Sequence, residues 1–276
     1  MFDRDEVLRL YDAEMRRDPI PDPGSRVERV GPIVRVVGKE NSVLFSALTE
    51  ANVRDVVAEQ AEFFRRAGVE VEWKTYGHDG PKGLSAALEA EGFVPDEPET
   101  LVVFDLRPGG PADPAPPGVE IRRVADDSGL RDATVANDAT FGPEAHEFAA
   151  RFRDRLTDPA LGLFVAYADD RPVATGRLEM PPGRPFAGLW GGGTSPQYRH
   201  RGIYRSLVAA RASLARQHGY SFLTVDARET SRPTLERLGF VALTSTRGWV
   251  LRPRPENSGD APRAAGTTGG SSEPSA

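Results

Sequence analysis

The chain has 276 residues, a net charge of −6, 39% hydrophobic and 28% charged residues, which is enough to bury one large core or two modest ones. It has no cysteine, so disulfides, thiolate catalysis and cysteine–zinc sites are excluded, and its acidic balance argues against a nucleic-acid partner. Met1–Asp18 is charged and no apolar run of about 18 residues occurs, so neither a signal peptide nor a membrane span is expected, and the cytoplasm is the expected compartment.

In chain order, Asp3 to Arg16 has the spacing of a short amphipathic helix, with Val7, Leu8, Tyr11 and Met15 on one side. A Pro/Asp/Gly turn region follows. Val27 to Val37 has strand character broken near Gly31-Pro32, and Ser42 to Leu48 has it again. Val53, Val57, Gln60 and Phe64 mark one face of a helix that stops at Gly68. A strand is expected over Val69 to Tyr76, a helix over Lys82 to Glu91, and a strand over Thr100 to Leu106.

Arg107 to Gly118 is rich in Pro, Gly and Ala, the composition of a linker. It divides the chain into residues 1–106, a linker at 107–117, residues 118–252 and a Pro/Ser/Gly/Thr tail at 253–276 expected to be disordered. In the second part the expected order is a strand (Val119 to Val124) and two helices (Ser128 to Asn137, Glu144 to Thr157). A hairpin follows (Leu161 to Tyr167, Val173 to Met180), then a strand from Phe186 to Gly192. A helix ending at Gly219, a strand (Ser221 to Ala227), a short helix (Arg232 to Leu238) and a last strand (Val241 to Leu251) complete it.

An internal repeat joins the two parts. Leu88-Glu89-Ala90-Glu91-Gly92-Phe93-Val94 matches Leu235-Glu236-Arg237-Leu238-Gly239-Phe240-Val241, and each copy follows a strand that follows a helix ending in Gly. The first part is therefore expected to be a copy of the later part of the second, the alternative being chance similarity of a short helix-Gly-Phe segment.

The second copy carries a stretch that the first lacks. Between Trp190 and Leu207 lie three glycines, a Thr194-Ser195-Pro196 turn, the basic Arg199-His200-Arg201 and Gly202. Ile203, Leu207, Ala210 and Leu214 then mark a helix face. The basic residues therefore stand at a helix N-terminus, where free N–H groups and the dipole favour an anion such as a phosphate or pyrophosphate. The corresponding place in the first copy, Thr49 to Asn52, has neither Gly nor Arg and carries Glu50. Neither a dinucleotide Gly-x-Gly-x-x-Gly nor a Gly-x-x-x-x-Gly-Lys-Ser/Thr loop occurs in the chain.

The order Pro196, Arg199, Gly202, with Tyr204 where Gly or Ala is usual, resembles the coenzyme A pyrophosphate loop of the GNAT acyltransferases. The element order from Val119 to Leu251 and the Gly239-Phe240 pair are similar to that family, and the first 106 residues resemble it as a degenerate, non-catalytic half. The resemblance implies an α+β fold in tandem: a mixed, mostly antiparallel sheet with helices on both faces. The strand bearing Gly192 to Thr194 would splay from its neighbour to admit acetyl-CoA. It further implies that Gly192, Gly193, Thr194, Arg199, His200, Arg201, Gly202, Ile203 and Tyr204 bind acetyl-CoA as co-substrate, with no metal. The reaction would be N-acetylation of a primary amine on a small molecule or peptide by a monomer or homodimer.

Acyl transfer needs a base for the amine, a donor for the oxyanion and an acid for the thiolate. Glu179, at a strand end, is the candidate base, and a solvent-facing strand-end Glu is its other reading. Leu235 stands where the family's tyrosine acid is found, and Ser231 near its usual Asn, so the acid is either dispensed with or supplied by a group such as Tyr204. These departures keep open an inactive acyl-CoA-binding regulatory or scaffold protein. Net charge favours a cationic acceptor as a field effect. Glu144-Ala145-His146-Glu147 lacks the second His of a zinc helix, His78-Asp79 fits a hydrogen-bonded turn, and Arg151, Arg153 and Arg155 fit a solvated helix face.

Overall fold

The computed structural model describes residues 2–111, 113–142 and 147–253. The expected tail, from 254 on, and Glu144 to His146 lie outside the described residues. The first strands are β1 (Ser25–Val30), β2 (Ile33–Gly38), β3 (Ser42–Ser46), β4 (Val71–Tyr76), β5 (Val94–Pro95) and β6 (Glu99–Asp105). The others are β7 (Val119–Arg123), β8 (Leu161–Ala168), β9 (Arg171–Glu179), β10 (Phe186–Thr194), β11 (Phe222–Arg228) and β12 (Val241–Leu251). The helices are α1 (Arg4–Tyr11), α2 (Val53–Ala67), α3 (Leu84–Ala90), α4 (Asp127–Phe141), α5 (Glu147–Phe152), α6 (Ile203–Gln217) and α7 (Arg232–Arg237).

Local sequence explains most of these boundaries. The Asp3 carboxylate accepts the amides of Asp5 and Glu6 and so starts α1, which continues as a π-helical turn over Asp12–Arg17. Val53, Val57, Ala61 and Phe64 form one buried stripe of α2. The stretch from Val27 to Val37, expected as a broken strand, is a hairpin: Gly31-Pro32 is its two-residue turn, with Val30 opposite Ile33.

All strands join one mixed sheet in the order β1-β2-β3-β4-β12-β6-β11-β10-β9-β8-β7, with β5 on β12. Two pairs are parallel, β3 with β4 and β10 with β11, and the other pairs are antiparallel. One face buries α2 and α3 against Trp73 and Trp249, and α6 and α7 against Leu189 and Leu223. The other carries α1 over Phe186 and Phe222, and α4 and α5 over Leu161, Leu163 and Val165.

The sheet order exposes an exchange. In sequence β6 closes the first half and β12 the second. In space β6 pairs with β11 of the second half, while the end of β12 pairs with β4 and β5 of the first. The front of β12 then pairs with β6, so each half supplies a strand to the other. The buried Lys74 amine of β4 seals the exchange, 2.9 Å from Glu99 of β6 and 3.2 Å from Asp226 of β11.

Either half alone therefore exposes an unpaired edge beside its last strand. Residues 1–109 and 110–276 produced separately should be insoluble or melt without cooperativity, and should co-purify when expressed together. A cooperative melt for either fragment alone, followed by circular dichroism, would contradict the exchange.

Candidate acyl-CoA and acceptor site

The site starts where two strands part. β10 and β11 are paired only from Phe186–Phe222 to Gly188–Thr224. Beyond Gly188 the edge of β10 that faces β11 has no strand partner among the described residues, although its other edge stays on β9. Between Trp190 and Gly193 the register against β9 slips by one residue, a β-bulge at Gly191, whose φ of 50° suits glycine. The bulge reverses the alternation of faces. A Cβ on Gly192 would lie 3.0 Å from Arg211 Nη2 of α6, and one on Gly193 would lie 2.4 Å from Thr140 Cγ2 of α4.

The chain leaves β10 at Thr194, whose Oγ1 is buried without a hydrogen-bond partner among the described residues. A 3₁₀ turn at Pro196–Tyr198 leads to Arg199, whose Nε donates to Thr194 O at 3.1 Å. His200 has φ 62° and Gly202 φ 83°; Gly202 is the N-cap of α6, and no side chain among the described residues caps that helix. The first amides of α6 are thus left for a ligand. Arg201 lies over the Tyr198 ring and 3.9 Å from Asp169. The Ile203 side chain is fully buried, so only its backbone can meet a ligand. Tyr204 packs against the cluster of Leu189 and Leu223, and burial raises its hydroxyl pKa.

The linker is not free chain. Asp113 pairs with Arg205 at 3.0 Å, Ser206 Oγ donates to Pro114 O at 3.0 Å, and Pro116 Cγ would be 3.3 Å from a Cβ on Gly202. It runs along the first turns of α6, beside the loop.

Beneath the bulge lies Arg211, which sequence reading missed. It is 1% exposed and faces no carboxylate among the described residues. Its Nε donates to Leu207 O, Nη1 donates to Arg177 O at 3.2 Å, and Nη2 has no partner among the described residues. Burial pushes its pKa down to about 10, so it stays charged at neutral pH. The signal was present: a charge in the apolar stripe of α6, facing Gly176 and Gly192.

The opposite face of the same strands holds Glu179. It pairs in register with Gly188, the last β10 residue bonded to β11. Its side chain is partly buried, which raises its pKa, while Arg177 opposes the shift with Nε 2.9 Å from Oε1. Trp190, directly opposite Arg177 in the sheet, is 42% exposed. Leu235 is fully buried, and Ser231 Oγ donates to Arg228 O, so neither presents a polar group to the opening. Arg151 and Arg155 do not simply face solvent: they pair with Glu40 and Asp22 of the first half, bridging the halves over this face.

The family model for "Acetyltransferase (GNAT) family" matches residues 133–240, which contain the bulge, the basic loop, α6 and both candidate catalytic strands. This region belongs to the GNAT family. A GCN5-related N-acetyltransferase from Kribbella flavida superposes with TM-score 0.66 at 17% identity, covering 91% of this chain and 96% of its own. A second, from Sphaerobacter thermophilus, gives 0.59 at 16% over 91% and 86%. A tandem GNAT protein from the clavulanic acid biosynthesis pathway gives 0.57 at 14%, covering 86% of each chain. No curated protein matches the chain. At these identities the structures establish the fold, including its tandem form, and the GNAT region carries the site.

The first half has the same parting of strands, with β3 and β4 bonded only at Ser42–Glu72 and Val43–Trp73. There the opening is filled. Arg16 Nε donates to Leu44 O at 3.1 Å, its Nη2 binds both Asp79 oxygens at 2.7 and 2.8 Å, and its guanidinium stacks 3.7 Å from the Tyr76 ring centre. Asp79 also accepts the Tyr76 amide, closing the turn at His78, whose Nε2 lies 2.8 Å from Asp12. At the head of α2, Asn52 Oδ1 accepts the Thr49 amide. Among the described residues, no His/Asp/Glu group could hold a metal and no helix is long and apolar enough to cross a membrane.

Two substitutions separate packing from charge. Gly193→Val puts its Cβ into α4 and should cost about 1–3 kcal/mol, lowering Tm by several degrees. Arg211→Met removes an unpaired buried charge and should melt at or above the wild-type temperature. A large loss of Tm for Arg211→Met in calorimetry would mean that the charge is compensated in the fold.

Proposed function

We propose that the chain is an N-acetyltransferase that moves an acetyl group from acetyl-CoA to a primary amine of a small molecule or peptide. The observation that carries this is the unpaired edge of β10 leading directly to an uncapped, basic helix N-terminus. Three features fit acetyl-CoA. The free amides of α6 with Arg199, His200 and Arg201 suit a diphosphate. The β10 edge at Gly192, Gly193 and Thr194 suits the amides of a pantetheine arm, as an added strand. Thr194 Oγ1 and Arg211 Nη2 are buried groups that lack partners.

Acetyl-CoA supplies the acyl group as an activated thioester; the chain supplies position, charge and proton transfer. Glu179 accepts the amine proton at its carboxylate, which burial makes a stronger base than an exposed glutamate. Tyr204 keeps its proton on the hydroxyl and is the acid candidate in place of the absent tyrosine at Leu235. The amides of the bulge, with Arg211 beneath them, favour negative charge at the acyl oxygen. The first half takes no acyl-CoA on this reading, because Arg16 fills its opening. The division at 107–117 then separates a structural half from a reactive one.

The buried Leu235 and the linker laid on α6 favour a second reading, an inactive acyl-CoA-binding regulatory or scaffold protein. Release of CoA with any amine excludes it.

Calorimetry of acetyl-CoA should give one site per chain, weakened about 100-fold or more in Arg199→Ala/Gly202→Glu. Absence of binding to the wild-type chain would overturn the proposal. Because burial raises the pKa of Glu179, kcat/KM should climb with pH through a limb above the ordinary glutamate value of about 4.3. Glu179→Gln should abolish that limb and lower kcat by about 100-fold or more. An unchanged profile would remove Glu179 as base.

A further inference from the structure

We infer that the acceptor carries an anionic group, a carboxylate or phosphate, within a few bonds of its amine, and that Arg177 binds it. This rests on the acyltransfer reading and names the substrate class of that site.

Arg177 and Glu179 are two residues apart on β9, so their side chains leave the same face about 7 Å apart along the strand. That is the face opposite Arg211 and α6, since a Cβ on Gly176, just before Arg177, would meet Arg211, and Leu178, between Arg177 and Glu179, packs with Val208 and Ala212 of α6. Both stand beside the opening. Arg177 pairs with Trp190, the last residue before the bulge, and Glu179 pairs with Gly188, where β10 and β11 part.

The Arg177 guanidinium is poorly served by the fold. Its Nε is buried with no aligned hydrogen bond among the described residues, and Glu179 is the carboxylate it contacts. Aromatic rings lie near it, Phe152 at 5.1 Å and Trp190 at 5.9 Å from ring centre to Cζ. Phe152 is core, but Trp190 is exposed on the open side. A partly buried guanidinium flanked by rings, with planar donors unspent, suits a carboxylate or phosphate. Glu179, two positions along, is placed for the amine of the same molecule, and the exposed Trp190 offers an apolar wall between them.

The same geometry disfavours a polycation. A second positive group at this place would meet Arg177, held in a low-dielectric setting where repulsion is strong. The protein's overall negative charge draws in cations from a distance; the local charge selects among the amines that arrive.

Matched acceptor pairs test this by calorimetry on the CoA-loaded full chain, which cannot turn over: L-phenylalanine with phenethylamine, and O-phosphoethanolamine with ethanolamine. In at least one pair the acidic member should bind about ten-fold tighter or more. The pair that shows it tells a carboxylate from a phosphate source. Arg177→Met should erase the preference, while Arg177→Lys keeps part of it and controls for folding; melting curves of both check integrity. With acetyl-CoA, the loss should fall on KM rather than kcat. Equal binding of both members in each pair, no binding of any probe, or a preference that survives Arg177→Met overturns the inference. If CoA binds and no preference appears, the anion site falls and the acyl-CoA reading stands. If CoA does not bind but the preference appears on the unloaded chain, the reverse holds.

Discussion

The parting of β10 from β11 after Gly188 is the constraint on which the rest depends. Parallel strands normally keep their ladder, and an unpaired edge in a sheet interior leaves backbone donors and acceptors without partners. Here the bulge at Gly191 turns the backbone, and small residues let α4 and α6 close on the strand from either side. The first half opens its strands in the same way and satisfies the exposed Leu44 carbonyl with Arg16. The contrast is chemical. One opening is occupied by the protein's own guanidinium, ion-paired and stacked; the other is left with orphan polar groups beside a basic loop. On the acyl-CoA reading, a fold that fills one cleft and leaves its copy open has separated architecture from ligand binding.

Strand exchange makes the first half part of the second half's sheet. β6 supplies the neighbour that β11 needs on its far side, so β11 is fixed there while its near edge departs from β10. Lys74, Glu99 and Asp226 place an ion-pair cluster across the exchange, deep enough that its loss would leave uncompensated charge. The first half also reaches across to the second through Glu40 and Asp22 to Arg151 and Arg155, and through Glu14 to Arg184. It is thus joined to the second half by ion pairs as well as by strand pairing.

Local pattern carried much of this. The helical stripe of α2, the loop from Pro196 to Gly202 and the repeated Gly-Phe segment were legible because each is a short-range signal: period, turn residue, cap. The strand exchange was not, since nothing in the residues of β6 distinguishes pairing with β11 from pairing with β4. Arg211 and Arg177 were passed over for a related reason. A single arginine in a helix or strand looks like surface until the opposing residues are known, and here those are Gly176 and Gly192 on one side and Phe152 and Trp190 on the other. The linker composition was read as a break between repeats; proline-rich chain can also lie against a helix, as Pro114 and Pro116 do.

The two arginines are coupled through one peptide group. Arg211 Nη1 donates to the carbonyl of Arg177, so β9 carries one guanidinium bound to its backbone from the α6 side and another projecting from the same residue on the acceptor side. Burial works against both charges, lowering both pKa values. A protein that needed only stability would replace them with apolar groups at little cost. Their common position, within one strand of the bulge, creates a positive field on both faces of the place where β10 turns. On the proposed reading that is where a neutral thioester oxygen gains charge on one side and an anionic acceptor docks on the other. The energy spent in burying two poorly paired cations is then recovered when negative charge arrives, which is the condition for charge placed in advance to assist a reaction rather than the fold.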